Sequence, residues 1–243
     1  MSEIKYNKSR PLRVVTLCSG YDSQCMALER LKQAHPEFDY DLIAWSEIDK
    51  YAIKAHDAVF PQFAGRNLGD MTKIDWSQVP DFDFLTYSTP CTDLSNAGLQ
   101  KGMEEGSGTR SSILWYTRNA IVAKRPRYLM LENVEAMVSG KFFPYFLKWL
   151  AELTEYGYRN YWRVLNAKDY GVPQNRERVF VFSILGDHDP FFFPPAIPLE
   201  KCLKDILEEE VAEKYYLPQD KVDQFIAQLD EEKLRLIEEG KTD

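Results

Sequence analysis

A cysteine that follows a proline, in Thr89-Pro90-Cys91, stands just beyond the short apolar run DFLTY at 83–87. A thiolate presented at such a turn can add to an electron-poor carbon, although a free cysteine is more often a small buried hydrophobe. Glu132, in Glu132-Asn133-Val134, follows a second apolar run, RYLML at 127–131. A partly desolvated carboxyl there is suited to holding or sharing a proton. Arg176 and Arg178 alternate before a third run, so their guanidinium groups share one side. Such a pair either grips oxygen or phosphate or forms a solvated, salt-bridged edge. A second group of residues could bind rather than react. Cys18-Ser19-Gly20-Tyr21-Asp22-Ser23 follows RVVTL at 13–17, and one glycine there lets backbone approach a ligand at a helix N-terminus. It reads equally as an ordinary strand-to-helix connection. Glu47, in Ser46-Glu47-Ile48-Asp49, lies where nucleoside binders grip ribose hydroxyls, or is simply an acid favoured by a helix dipole. Asp70, in Leu68-Gly69-Asp70-Met71, is another acid in a loop, where turn duty is common.

Elements of alternating type must position these groups. Strands are expected at 13–17, 41–45, 83–87, 127–131, 161–165 and 179–185. Helices are expected at about 26–34, 51–60, 112–123 and 143–153. This alternation implies an α/β fold with a mostly parallel sheet and helices on both faces. Ligands of such sheets bind outside the carboxyl ends of the strands, which is where every candidate residue falls. The pattern breaks at 187–199 in a Pro- and Phe-rich connector, DHDPFFFPPAIPL. Beyond it Val222, Phe225, Ile226 and Leu229 share one face of an otherwise charged helical stretch.

Composition narrows the classes. The 243 residues carry a net charge of −8, with 44% hydrophobic and 28% charged residues, as in soluble globular proteins. No apolar run approaches the roughly 20 residues that cross a bilayer, and the first residues lack the apolar core of a secretory signal. Four scattered cysteines, without CxxC or nearby histidines at ligand spacing, argue against a zinc site or disulfide framework and for a reducing, intracellular setting. Residues 200–243 hold 14 acids and 7 bases, so the acidity belongs to the tail. The nearly neutral body leaves room for a basic face toward nucleic acid.

Taken in order, the glycine turn, the strand-2 acid, the loop Asp, Pro-Cys, Glu-Asn-Val and Gln174-Asn175-Arg176-Glu177-Arg178 resemble the motifs of the cytosine-5 DNA methyltransferases. The similarity runs from about Leu12 to Leu185, and includes GLQKGMEEGSGTRSS and VLNAKDYGVPQNRERVFVF. It implies a Rossmann-like class I S-adenosylmethionine-dependent methyltransferase fold over residues 1–186. It further implies Cys91 as nucleophile on carbon-6 of cytosine, Glu132 as the acid at N3, and Arg178 at O2 with Arg176 shaping the same pocket. The base would be flipped out of double-stranded DNA. The methyl donor S-adenosyl-L-methionine would lie on residues 18–23, with Glu47 on the ribose, Ile48 against adenine, Asp70 at the adenine amino group, and Met71, Ser88 and Pro90 alongside. No metal and no membrane are implied.

The chain departs from the family at two places. Its first motif lacks the usual Phe and further glycines, and Thr92 replaces the usual glutamine beside the nucleophile. More broadly, residues 200–243 carry no Gly-Asn-rich return motif, so a second chain or a missing C-terminal half is expected to supply target recognition. Competing readings are an RNA cytosine methyltransferase and a non-catalytic module that binds cofactor or a partner. The presence of Cys91, Glu132, Arg176 and Arg178 together argues against the latter. An amino-methyltransferase would want an Asp/Asn-Pro-Pro-aromatic pocket in place of Thr89-Pro90-Cys91.

Overall fold

The computed structural model describes residues 6–90 and 104–238, so Cys91 and Thr92 lie outside the described residues. The chain divides into two compact units, 1–199 and 200–243. The first holds one six-stranded sheet in the order β2-β1-β3-β4-β6-β5. Its strands are β1 (Leu12–Leu17), β2 (Tyr40–Ser46), β3 (Phe84–Tyr87), β4 (Tyr128–Val134), β5 (Tyr158–Asn166) and β6 (Glu177–Leu185). Strands β1 to β4 pair in parallel, while β6 runs antiparallel to both β4 and β5. The crossover from β4 through helix α4 (Phe143–Glu155) leaves one slot between β4 and β5, and β6 turns back to fill it. Because β6 is reversed, its beginning lies at the same sheet edge as the ends of the parallel strands.

Burial on both faces explains the largely apolar composition of the central strands. Val14 packs into one apolar cluster and its neighbour Val15 into the other, as the period of two requires. On one face helices α1 (Ser23–Ala34) and α2 (Lys50–Val59) contribute Cys25, Leu28 and Ile53 against Leu42 and Trp45. On the other, α3 (Thr117–Lys124) and α4 bring Ile121, Phe146, Trp149 and Leu153 against Leu85, Leu129 and Val181. Trp149 is fully buried and donates its indole N–H to the Tyr87 hydroxyl at 3.1 Å, so neither polar atom is stranded in that core.

Several elements differ from the sequence expectation, among them β5 and β6, which run longer than 161–165 and 179–185. The helix expected at 112–123 is a 3₁₀ segment over 110–116 that passes into α3. Ser112 donates to the Thr109 carbonyl, a local bond that competes with a regular α-helical start, and Ser111 reaches across to the Pro90 carbonyl. Strand β4 runs three residues beyond 131, which places Glu132 inside the ladder opposite Phe180 rather than after it. The connector at 187–199, mostly exposed, is tied down at a few points. Phe191 stacks on Phe182 with ring centroids 4.6 Å apart, and Ile197 bridges Tyr170. In the second unit α5 (Gln219–Glu238) is the amphipathic helix, with Phe225, Ile226 and Leu229 about half exposed or more.

Candidate active site

The β1–α1 turn and the end of β2 form one half of the site. Cys18, Gly20 and Asp22 all take positive φ, which coils the turn back on itself. The Gly20 amide donates to Glu47 Oε2 at 3.0 Å, and Ser19 N donates to the Ser46 carbonyl at 3.2 Å. A side chain built on Gly20 would meet nothing within 4 Å, so open space lies over the backbone there. The Ser19 hydroxyl is buried without a hydrogen-bond partner among the described residues. Glu47 Oε1 accepts from the amides of Ile48 and Asp49 at 2.7 and 2.9 Å. A carboxylate has about four lone-pair sites, so three amide bonds leave capacity for one hydroxyl. Ile48 is 73% exposed, ready to lie against a flat ring. Tyr21 and Ser23 are also exposed, and Ser88 Oγ accepts from Gln24 at 3.0 Å.

The polar turn is thus suited to a nucleoside-bearing ligand, with Glu47, Gly20, Ser19 and Ile48 as the groups that would hold it. Two residues expected there serve differently. Asp22 is fully buried beneath the turn, and Met71 is a core residue whose sulfur lies 3.4 Å from that of Cys18. Neither side chain is open to a ligand, because each packs on the inner side of its loop. Asp70 accepts from the amide and hydroxyl of Thr72, with Lys73 at 3.3 Å, and these bonds hold its carboxyl below the ordinary range. It therefore stays an acceptor at the loop surface.

Sequence reasoning missed Asn67, which organises this half. Its Oδ1 accepts from Glu47 N and Gly69 N, and its Nδ2 donates to the Glu47 carbonyl at 3.0 Å. The segment at 66–68 pairs alongside Trp45 like a short extra strand. Only the Gly-Asp turn two residues later hinted at it.

The other half lies across β3. Glu132 Oε1 and Arg178 Nε are 3.2 Å apart, with side chains 23% and 21% exposed. The antiparallel register sets Val134 opposite Arg178 and Glu132 opposite Phe180, so acid and base are diagonal neighbours on one face. Arg176, just before β6, is exposed and makes no side-chain hydrogen bond or ion pair among the described residues. Its backbone is clasped by Asn166, whose Oδ1 accepts from Arg176 N at 3.1 Å. Asn133, on the opposite face of β4, is buried and donates to the Thr89 carbonyl at 3.0 Å. With Ser111 on the Pro90 carbonyl, it ties the segment that enters Cys91 to β4 and to the 3₁₀ segment.

Beyond the undescribed stretch, Glu105 meets Arg118 at 2.7 Å and Lys148 at 2.9 Å, and Arg118 also pairs with Glu152. The hydrogen bonds from Arg118 and Lys148 lower the Glu105 carboxyl from 4.5 to about 2. A depressed folded-state pKa adds stability above the unfolded value and loses it as pH falls toward the folded one. Acid titration of the fold between about pH 4.5 and 2 is expected to be shallower in Glu105→Gln. An unchanged acid profile by circular dichroism would show that this carboxylate contributes nothing.

No helix among the described residues is long and apolar enough to cross a membrane, and no group of three or more potential metal ligands occurs there. The model of the C-5 cytosine-specific DNA methylases matches residues 12–239. That match carries past Leu185, where the resemblance in motifs ends, into the second unit. The chain is 47% identical over 169 residues to the type II methyltransferase M2.ScrFI of Lactococcus lactis subsp. cremoris, covering 70% of this chain and 47% of that protein. It is 31% identical to the orphan methyltransferase M.Rho11sI of Bacillus phage rho11s, covering 91% of this chain and 48% of that one. The chain spans about half the length of these relatives. Among solved structures, the Entamoeba histolytica methyltransferase EhMeth superposes with a TM-score of 0.68 at 21% identity, over 87% of this chain and 64% of that one, a likeness of fold. The two halves of the site sit on a sheet of that methyltransferase fold, and the chain belongs to the C-5 cytosine-specific DNA methylases.

Proposed function

We propose that this chain is the catalytic part of a DNA cytosine-5 methyltransferase acting on a cytosine turned out of the duplex, in an intracellular setting. The observation that carries the reading is the Glu132–Arg178 pair at the same sheet edge as the Gly20–Glu47 turn. S-adenosylmethionine, when bound, supplies an electrophilic methyl group on a sulfonium. The chain's residues do the rest. Carbon-5 of cytosine is a poor nucleophile until a group adds to carbon-6, and Cys91 would add there as thiolate. The electron pair pushed into the ring calls for a proton at N3, which Glu132 would hold, while Arg178 holds O2. After methyl transfer, loss of the carbon-5 proton and elimination of the thiolate restore the aromatic ring and free Cys91. Glu47 would grip the donor's ribose, Ile48 its adenine ring and Asp70 the adenine amino group, with the backbone at 18–23 near the methionine end.

Binding of the donor is tested at Glu47. Each hydrogen bond to a charged acceptor contributes about 1.5–3 kcal/mol at most, and Glu47 also anchors the Gly20 amide. Glu47→Ala is expected to weaken donor binding at least tenfold by calorimetry while the chain stays folded. Unchanged affinity would remove Glu47 from the site.

Target recognition is proposed to come from a second chain or a further C-terminal part. The relatives are about twice as long, and α5 presents Phe225, Ile226 and Leu229 to solvent on an acidic unit. Specific DNA binding rests on several Lys/Arg–phosphate contacts, and the chain as a whole is acidic. The 243-residue chain mixed with labelled donor and duplex DNA is expected to bind weakly and turn over little. Addition of an adjacent-gene product is expected to raise turnover. Robust sequence-specific methylation by the chain alone would refute the need for a partner, and no transfer under either condition would refute the activity.

A further inference from the structure

Behind the Gly20 turn lies a polar cluster that the proposed chemistry does not use. Asp22 takes φ 67° and ψ 63°, a left-handed conformation that favours glycine, and its side chain is wholly buried. Its Oδ2 accepts from the Thr16 hydroxyl at 2.6 Å and its Oδ1 from the Cys25 amide at 3.1 Å, so it caps α1 from below. Nε2 of His56, from α2, lies 3.8 Å from the same Oδ2, and no hydrogen-bond partner for that nitrogen exists among the described residues. The ring is also wholly buried. It stacks on Trp45 with centroids 3.7 Å apart, tilts against Phe60, and turns Nδ1 toward Asp57 Oδ1 at 3.4 Å.

A buried carboxylate is costly unless it is paired or hydrogen-bonded. Burial pushes the Asp22 carboxyl above its ordinary value, and the bonds from Thr16 and Cys25 and the charge of His56 pull it back. One hydroxyl, one amide and the weakly donating Cys25 thiol are thin compensation, and the His56 imidazole faces the same carboxylate. At 3.8 Å the contact is electrostatic rather than a formed hydrogen bond. Strained left-handed residues persist only where their surroundings over-determine them. Here two non-glycine residues, Cys18 and Asp22, are held that way on either side of Gly20. Asp22 N also donates to the Ser19 carbonyl at 2.8 Å, so fixing Asp22 closes the turn.

We propose that Asp22 and His56 are positioning residues, a buried carboxylate–imidazole pair that holds the β1–α1 turn in its left-handed course so that Gly20 meets Glu47 and the methyl donor. The pair spans the two segments of the donor half, because His56 belongs to the helix that begins directly after Glu47-Ile48-Asp49 and stacks on the β2 residue two before Glu47. It rests on the reading of this turn as the donor site, but only for its effect on binding.

The test uses the full chain and two readouts. His56→Phe keeps the stack on Trp45 and removes both nitrogens. It is expected to speed amide hydrogen exchange at Gly20 and Asp22 at least tenfold and to weaken donor binding about tenfold by calorimetry. Asp22→Gly places at φ 67° the residue at home there, so in Asp22→Gly/His56→Phe most of the lost affinity and protection should return. His56→Gln, whose amide keeps a polar N–H facing Asp22, should stay nearer to wild type than His56→Phe. Unchanged exchange in His56→Phe, or a loss that persists undiminished in the double variant, would overturn the proposal. If His56→Phe fails to fold, a double variant that folds and protects Gly20 supports the pair, and one that does not overturns it. A wild-type chain that bound no donor would sink the reading of the turn, while exchange at Gly20 and Asp22 would still judge the anchor.

Discussion

Cys91→Ser is expected to abolish methyl transfer while the fold and donor binding persist. A serine hydroxyl is not ionised near neutral pH, so addition to carbon-6 loses its nucleophile. In the wild type, a duplex carrying 5-fluorocytosine should become covalently attached, because fluorine cannot leave carbon-5 as a proton does. Two other thiols near the donor half are unsuited to the task. Burial, then the carboxylates of Glu47 and Asp70, push the Cys18 thiol up to about 12. Burial followed by Asp22 also raises that of Cys25. Both stay protonated and inert at neutral pH. Peptide mapping that found the adduct on Cys18 or Cys25 would overturn the assignment of Cys91.

Glu132→Gln carries the second large effect. General acid catalysis by a positioned carboxyl typically contributes 10²–10⁴-fold, so turnover is expected to fall by at least about a hundredfold. The amide also leaves the Arg178 guanidinium, one-fifth exposed, without its charged partner. Removing one member of such a pair costs more than the pair contributes, because the other charge is left uncompensated. The losses from Arg178→Ala and Glu132→Gln should combine non-additively, since the two side chains contact each other and act on one ring. Single-turnover kinetics with saturating DNA would separate this from weakened binding. A Glu132→Gln variant within threefold of wild-type turnover would remove Glu132 from proton transfer.

Much of this frame was legible in residue order. The β-branched and apolar runs marked all six strands, and the polar residues after them gather at one sheet edge, because side chains at strand ends are presented there whatever the fold's details. Lengths were less legible. Glu132 and Asn133 look like loop residues, being polar, yet the ladder to β6 satisfies their backbone and carries β4 to Val134. The helix expected at 112–123 gave way to a 3₁₀ start where Ser112 bonds the Thr109 carbonyl and Ser111 the distant Pro90 carbonyl, which helical periodicity does not report. Long-range bonds were the least legible. Nothing in the spacing of Asn67, or of Thr16, Asp22 and His56, declares that they meet, since each contact joins separate elements. The clasp of Asn166 on Arg176 belongs to the same class.

Strand order also governs how changes combine. The turn proposed to hold the donor stands on β1 and β2, the Glu132–Arg178 pair on β4 and β6, and β3 lies between them. With neighbouring strands about 4.8 Å apart, the ends of β2 and β4 are separated by roughly 14 Å. Glu47 and Glu132 share no hydrogen-bond partner among the described residues. Perturbations at that range without common partners are close to independent. Loss factors from the two halves should then multiply, so a lineage can retune its grip on one ligand while leaving its handling of the other untouched.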